Sequence, residues 1–203
     1  MIILALAAAL AAASLQSDAL VAPGADIERA DFFRPGIAPT RTPARYDLTI
    51  VYFFDYQCPQ CRAFTPDVAR VLREEPRIRW IYRDIPSISP KSTDAARVAI
   101  AASFQGRHHG FHHALMASKG RLSDASIRAA AVKAGVDWAR LQRDLKARRA
   151  AIDAQIARNG ELADATGIVG TPAFIVGDRL SDGALDYKNL KLEIADARKA
   201  ARR

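Results

Sequence analysis

The only two cysteines of this 203-residue chain lie three positions apart, in the segment DYQCPQCRAF at residues 55–64. Two thiols at this spacing can be a redox-active pair, a small structural disulfide or half of a metal site. A redox pair requires one thiol that loses its proton readily and a second thiol within disulfide reach. The elements around Cys58 and Cys61 therefore decide which chemistry these residues can perform.

The segment before the cysteines is predicted to be a buried strand, and the segment after them a helix. Residues 48–54 are almost all apolar, β-branched or aromatic, which is typical of a strand buried on both faces. Pro59 suits the first turn of a helix, and apolar residues recur at helical spacing over 64–72. Cys58 is thus predicted at a helix N-terminus, where free backbone N–H groups and the helix dipole favour a thiolate. We expect the Cys58 thiol to be exposed and nucleophilic, and Cys61, one turn later, to be more buried.

The remaining pattern predicts an α/β fold interrupted by helices. A second strand over 78–82 completes a strand–helix–strand unit, which implies a parallel pair of strands. From about residue 88 to 166 the chain has helical patterns and no strand pattern, so we expect an all-helical insertion that covers the sheet. The last part of the insertion, from Trp138 on, is predicted as one long helix. A short strand over 173–176, a turn at 182–183 and a closing helix follow.

Four segments together resemble, in content and in order, the DsbA-like thioredoxin-fold family of bacterial thiol–disulfide oxidoreductases. They are VYFFDYQCPQCRAF, the helical insertion, GIVGTPAFIVGD and GALDYKNLKLEIADAR. The resemblance extends over about residues 47–197. It implies a thioredoxin-like α/β fold with an all-helical insertion, and an activity that exchanges disulfides with exported protein substrates without a bound cofactor.

The resemblance also implies roles for the residues of the cysteine motif. Cys58 would be the attacking cysteine and Cys61 the resolving one. Pro59 and Gln60 lie between them and would tune the reduction potential of the pair. Disulfide exchange would then pass through a mixed disulfide between Cys58 and a substrate cysteine.

A second site is implied at Thr171-Pro172, directly before the predicted short strand. In the family, a loop at this place lies across from the cysteines, and its proline has a cis peptide bond. Such a loop can present its backbone edge to an extended substrate. We therefore expect Thr171 and a cis Pro172 to bind substrate backbone.

Two positions depart from patterns of related proteins, and a third does not separate the branches of the family. The first departure is from the strongly oxidising members. These members have a histidine where this chain has Gln60, which is neutral, so we expect a less oxidising cysteine pair. Many thioredoxin-like proteins have a buried acid six residues before the first cysteine, and that position is Tyr52 here. Proton transfer at Cys61 would then need Asp55 or water. Thr171 resembles the isomerase and reductase branches as much as the strong oxidants.

The chain begins with an apolar run over 2–13, which has the length of a signal-peptide core and is too short to span a bilayer. Residues 1–19 are predicted as a signal peptide, and the protein as periplasmic or otherwise extracytoplasmic. No Lys or Arg precedes Arg29, so the basic start of such a signal is missing, and an Ala-rich helix packed on the domain is the alternative.

The prolines of 20–45 predict an extended lead-in, too short for the dimerisation domain of isomerases, so we expect a monomer. Residues 46–203 are predicted to form the thioredoxin domain.

The charge balance is basic but does not indicate a nucleic-acid partner. The chain has 30 Lys and Arg residues against 22 Asp and Glu residues, a formal net charge of +8. The basic residues are scattered along helical segments, without a run of five or more and with few aromatic residues among them. This pattern predicts a solvated surface. No phosphate-binding loop, nucleophile elbow or set of paired metal carboxylates stands out, so the sequence does not favour a hydrolase or a nucleotide-dependent enzyme.

All four histidines lie in the segment RHHGFHHALM, as His108, His109, His112 and His113. Residues four apart share one face of a helix, so a metal-binding histidine cluster, or a Cys₂His₂ zinc site with the two cysteines, is an alternative reading. Because 46 residues separate the cysteines from the histidines, we expect no metal site and histidines that face water. A purely structural disulfide is a further alternative, although so short a loop gives little entropic stabilisation.

The sequence therefore predicts a protein disulfide oxidoreductase whose direction stays open between oxidase, reductase and isomerase. Its partners would be protein substrates with thiols or disulfides, and a membrane redox partner that resets the cysteines, either a quinone-linked oxidase or a reductase. The alternative function is a non-catalytic periplasmic binding module on the same fold, such as a chaperone or a metal-handling protein that uses the histidine cluster.

Overall fold

The computed structural model describes residues 27–202, so the predicted signal peptide and the first residues of the lead-in lie outside the described residues. The strands are β1 Thr40–Arg41, β2 Leu48–Phe54, β3 Ile78–Asp84, β4 Ala173–Val176 and β5 Arg179–Asp182. The helices are α1 Arg29–Phe33, α2 Pro59–Glu74, α3 Pro90–Ser103, α4 His108–Met116, α5 Asp124–Lys133, α6 Trp138–Ala147, α7 Arg149–Ala165 and α8 Tyr187–Ala200. None of these helices is long and apolar enough to cross a membrane.

The five strands form one mixed sheet in the order β1-β3-β2-β4-β5. The central pair β2 and β3 is parallel, as predicted, and runs in register from Leu48 opposite Ile78 to Phe54 opposite Asp84. All other neighbouring strands are antiparallel. Since β2 has neighbours on both sides and is covered on both faces, its apolar run is continuous rather than alternating.

Two apolar cores lie on the two faces of the sheet. Ile50 and Tyr52 of β2 point into the larger core, which contains residues of α2, α8 and the helical insertion. Val51 and Phe53 point into the smaller core, which contains Phe32 of α1 and the C-terminal part of α7. Because side chains of a strand alternate between faces, one short strand anchors both layers of helices.

The predicted insertion is present as the five helices α3 to α7, between β3 and β4. The prediction of one long helix from Trp138 onward is wrong, because the chain leaves helical geometry at Arg148 and separates α6 from α7. The break gives α7 its own direction. Ile152 of α7 packs in the larger core and Leu162 in the smaller one, so α7 passes from one face of the sheet to the other.

Two local predictions near the chain ends also need correction. The lead-in is not wholly extended, since residues 27–45 contain the short α1 and β1. The turn after β4 lies at Gly177 and Asp178 rather than at 182–183, and Val176 pairs directly with Arg179. Gly177 has φ +61, a left-handed conformation that glycine adopts without steric cost, and so the two-residue turn forms there.

Candidate active site

A short connection, the cysteine loop at residues 55–58, joins the end of β2 to the start of α2. The buried Asp55 carboxylate anchors this loop. It accepts hydrogen bonds from the backbone N–H groups of Gln57 at 2.6 Å, Ser87 at 3.0 Å and Ile88 at 3.0 Å. Asp55 therefore holds the cysteine loop against the loop between β3 and α3, and its carboxylate oxygens are occupied by backbone donors.

Cys58 is the N-cap residue of α2, as the sequence predicts. Its sulfur accepts a hydrogen bond from the Cys61 backbone N–H at 3.4 Å, and its thiol donates to the Thr171 carbonyl at 3.1 Å. A hydrogen bond with the Cys61 side chain is the largest cause that lowers the pKa of Cys58 to about 6. Burial opposes this shift, while the Thr171 side chain and the backbone of Cys61 and Gln60 add to it. Cys58 is thus the thiol that ionises readily.

The Cys58 residue is less exposed than predicted, at 3%. The expectation of an open thiol is wrong because the loop that carries Thr171 packs directly over the sulfur, a contact that no local sequence signal shows. Cys61 is fully buried, and burial raises the pKa of its thiol well above the ordinary value. Both cysteines are free thiols in the structure.

The peptide bond between Thr171 and Pro172 is cis, in agreement with the expectation. The Thr171 carbonyl faces the Cys58 sulfur, and the Pro172 carbonyl accepts a hydrogen bond from the Gly183 N–H at 3.0 Å. Pro59 and Gln60 are exposed at the first turn of α2. The structure therefore brings together all six residues singled out in the sequence: Cys58, Pro59, Gln60, Cys61, Thr171 and Pro172.

Tyr52 occupies the position where many thioredoxin-like proteins have a buried acid. Its ring stacks between Phe54 and Phe174, with ring centroids 4.9 and 4.8 Å apart respectively. Burial raises the pKa of Tyr52 well above its ordinary value, and the neighbouring Cys61 thiol raises it further. A neutral phenol therefore lies beside Cys61 at this position.

Sequence reasoning missed Arg62, which follows the second cysteine. Its guanidinium donates to the carbonyls of Tyr56 at 2.7 Å and Gly120 at 2.6 Å. The position was recognisable in principle, since residues four apart on a helix are neighbours and Arg62 is four positions after Cys58. The backbone carbonyls that it contacts could not be identified from residue types.

The four histidines do not all face water, which corrects the prediction. His108 and His112 are buried, and the Nδ1 atom of His112 lies 3.2 Å from the hydroxyl of Tyr56 in the cysteine loop. Burial lowers the pKa of His108 to about 3 and that of His112 well below 6.5, so both are neutral at pH 7. The aromatic side chains at the ends of β2 and β3, Phe54 and Tyr82, pack against these rings and exclude solvent from them.

Within residues 27–202, no group of three or more His, Cys, Asp or Glu side chains is placed to hold a metal ion. The alternative Cys₂His₂ zinc site is therefore not formed by the described residues. The buried histidines instead pack the insertion against the end of the sheet.

The fold and the cysteine site together define a thioredoxin-like protein. Residues 46–196 match the family model described as Thioredoxin, so the chain belongs to this family. The match begins just before β2, ends within α8 and contains the cysteine loop, the insertion and the Thr171-Pro172 loop.

Solved structures of thioredoxin-like and thiol-disulfide exchange proteins share the fold. A thioredoxin-like oxidoreductase from Silicibacter pomeroyi DSS-3 is 36% identical, covers 85% of this chain and 99% of its own, and has a TM-score of 0.79. The thiol-disulfide exchange protein alpha-DsbA2 from Wolbachia pipientis is 26% identical, with 92% and 97% covered and a TM-score of 0.80. A periplasmic thioredoxin-like protein from Salmonella enterica serovar Typhimurium is 27% identical, with 85% and 98% covered and a TM-score of 0.73.

Curated relatives that match this chain are much longer proteins. The Na(+)/H(+) antiporter NhaA 1 of Salinispora arenicola (strain CNS-205) is 31% identical over 159 residues, which is 77% of this chain. The chain spans about a quarter of the length of this relative, 24%. The similarity therefore concerns one part of the antiporter protein.

Proposed function

We propose that this protein exchanges disulfides with protein substrates through Cys58 and Cys61. The observation that carries the proposal is the contrast between the two thiols. Cys58 is at a helix N-terminus with a pKa lowered to about 6, mainly through the Cys61 side chain, while burial raises the pKa of Cys61. At pH 7 the Cys58 side chain is mainly a thiolate, which can attack a disulfide, whereas Cys61 remains a protonated thiol.

The exchange needs no other redox group. The Cys58 thiolate attacks one sulfur of a substrate disulfide, forms a mixed disulfide and releases the other substrate sulfur as a thiolate. Cys61 then gives its proton to water or to the released substrate thiolate and attacks the Cys58 sulfur, which releases the second substrate thiolate. The substrate disulfide is reduced by two electrons and the Cys58–Cys61 pair is oxidised to a disulfide. With an oxidised pair and a substrate dithiol, the same steps run in reverse.

The surface near the cysteines suits an extended polypeptide. Gly170 is exposed and Thr171 is half-buried beside the Cys58 sulfur, so the backbone directly before the buried Pro172 can offer hydrogen-bonding groups to a substrate strand. Ile88 follows the loop that Asp55 anchors and is 47% exposed, and Val169 precedes Thr171 and is 93% exposed. Exposed apolar side chains on two loops that adjoin the cysteine site favour substrates with apolar residues near the reacting cysteine.

The location and the redox partner are part of the proposal. An extracytoplasmic location is supported by the apolar start of the sequence and by the solved periplasmic relative. In such a compartment a turnover cycle requires a partner that resets the cysteines, and we propose a membrane oxidase linked to quinones or a membrane reductase. The protein is proposed to act as a monomer.

The activity test follows disulfide exchange with a disulfide-containing protein substrate, scored by thiol trapping. Wild-type protein is expected to exchange disulfides with the substrate. The Cys61→Ser variant is expected to accumulate a mixed disulfide between Cys58 and the substrate, and the Cys58→Ser variant is expected to be inactive. Undiminished exchange by Cys58→Ser would refute the proposed chemistry. Substrate binding that persists in both variants, without exchange in the wild type, would favour the binding-module alternative.

The direction of electron flow follows from the equilibrium reduction potential of the Cys58–Cys61 pair in metal-free glutathione buffers. A potential near or above the glutathione poise would identify a disulfide donor, and a strongly reducing potential would identify a reductase or isomerase. With Gln60 between the cysteines, we expect a pair less oxidising than the strong oxidants of the family.

A further inference from the structure

Arg62 connects the cysteine loop to the helical insertion. Its Nε atom donates to the Tyr56 carbonyl at 2.7 Å. Its Nη1 atom donates to the carbonyls of Gly120 at 2.6 Å and Ser118 at 3.3 Å, in the segment between α4 and α5. One planar guanidinium therefore joins a residue two positions before Cys58 to two residues of the insertion.

Two further contacts join the same parts of the molecule. The Gln57 side-chain oxygen accepts a hydrogen bond from the Leu122 N–H at 3.1 Å. The Tyr56 hydroxyl lies 3.2 Å from Nδ1 of His112 on α4. The insertion therefore contacts both residues that directly precede Cys58. Arg62 makes three of these five hydrogen bonds.

Arg62 also carries a positive charge one helical turn after the reactive Cys58. The Arg62 backbone N–H donates to the Cys58 carbonyl at 3.1 Å, so the two residues are neighbours on successive turns of α2. Burial lowers the pKa of Arg62, whereas the charges of Asp55 and Cys58 raise it. The attraction that favours the charged guanidinium equally favours the charged thiolate. The Nη2 atom is buried and has no hydrogen-bond partner among residues 27–202, so no carboxylate of these residues is hydrogen-bonded to this part of the guanidinium.

We propose that Arg62 is a positioning residue that fixes the cysteine loop to the helical insertion and keeps its positive charge one helical turn from Cys58. The importance of this role for activity rests on the proposed disulfide exchange. The test measures the ionisation of Cys58 and amide exchange, and it requires no exchange activity. The helical insertion then influences the ionisation of Cys58, because the segment between α4 and α5 orients the Arg62 guanidinium. A residue that only stabilised the fold would leave the ionisation of Cys58 unchanged.

The test compares three variants of the full chain in the reduced state, without a substrate. Arg62→Gln removes the charge and the fork of donors, Arg62→Lys keeps the charge without the fork, and Arg70→Gln is the matched control. Arg70 is on the same helix, about 18 Å along the helix axis from Cys58, and pairs with Glu74 away from the cysteine loop. Thiolate absorbance at 240 nm gives the titration midpoint of Cys58, and amide hydrogen exchange reports on residues 117–123.

We expect Arg62→Gln to raise the Cys58 midpoint by about half a pH unit and to speed amide exchange in 117–123 about tenfold. Arg62→Lys should keep the midpoint within about 0.2 unit and still speed exchange, and Arg70→Gln should change neither. Equal midpoints for Arg62→Gln and Arg70→Gln would overturn the proposal. If Arg62→Gln does not fold, unchanged exchange at 117–123 in Arg62→Lys overturns it. A protein without exchange activity can still show the midpoint shift, so the two proposals fail separately.

Discussion

At the scale of single residues, the site shows how surroundings make two identical side chains different. Cys58 and Cys61 are three positions apart, yet the pKa of Cys58 is lowered to about 6, mainly by the Cys61 side chain, and that of Cys61 is raised by burial. The difference comes from hydrogen-bond donors around the first sulfur and desolvation of the second. Only the first thiol is therefore suited to begin the reaction at neutral pH.

The Cys61 side chain is expected to set the ionisation of Cys58. Cys61→Ala removes the hydrogen bond that contributes most to the lowered pKa of Cys58, so the pKa should rise from about 6 toward its ordinary value. Cys61→Ser keeps a donor and should retain most of the shift. Titration of thiolate absorbance at 240 nm measures both variants, with Cys58→Ser as the blank. Equal midpoints in the alanine and serine variants would contradict this role of Cys61.

At the scale of elements, one buried arginine joins the lead-in, the sheet and the insertion. Arg83 of β3 is almost fully buried and donates to Asn159 Oδ1 at 3.1 Å on α7. It also donates to the carbonyls of Phe32 at 3.2 Å and Arg34 at 2.6 Å, at the end of α1. Burial lowers the pKa of Arg83 to about 10, so it stays charged at pH 7. Backbone and amide oxygens, rather than a carboxylate, therefore solvate this buried cation.

Loss of Arg83 should separate α1 from the sheet. Arg83→Ala leaves several buried oxygens without donors, and we expect the free energy of unfolding to fall by about 3 kcal/mol or more. The control is Arg34→Ala, because that side chain is exposed and makes only a surface ion pair with Asp31. Its loss should be below about 1 kcal/mol. Urea unfolding measures both variants, and similar losses would disprove the role given to Arg83.

At the scale of the whole molecule, the fold buries a carboxyl group between the sheet and the insertion. Asp84 ends β3 opposite Phe54, and neither carboxylate oxygen has a hydrogen-bond partner among the described residues. Burial raises its pKa well above the ordinary value, and the charge of Asp55 raises it further. The folded protein therefore keeps a proton on Asp84 at a pH where the unfolded chain has lost it.

This buried carboxyl predicts a pH dependence of stability with a definite sign. Because the folded state binds more protons than the unfolded state above about pH 4, Asp84 makes the free energy of unfolding decrease as pH rises, by up to about 1.4 kcal/mol per pH unit. Asp84→Asn removes this titration, so its stability relative to wild type should increase between pH 5 and pH 8. Urea unfolding at both pH values measures it, with the exposed Asp164→Asn as control. If the difference in free energy of unfolding between Asp84→Asn and wild type is the same at pH 5 and pH 8, the Asp84 carboxyl group does not cause the pH dependence.

Much of the central fold was predictable because its signals are local. The apolar run of β2, the proline at the start of α2 and the helical periods between β3 and β4 are properties of neighbouring residues. The break at Arg148 and the turn at Gly177 were missed, since both depend on which surface the following element packs against. Arg62 was missed for a related reason, because its partners are backbone carbonyls far away in sequence.

The sequence by itself determined the chemistry available to this protein: two thiols one helical turn apart after a buried strand, and a Thr-Pro pair before a later strand. Spacing and residue type suffice for this, because helix and strand periods relate neighbouring residues directly. The sequence also indicated that Cys58 would ionise more readily and that Cys61 would be more buried, but only the tertiary structure decided which contacts produce this difference. The Thr171 carbonyl over Cys58, the Arg62 bridge and the burial of Cys61 and His112 all arise from segments that are distant in the chain and meet only when the protein folds.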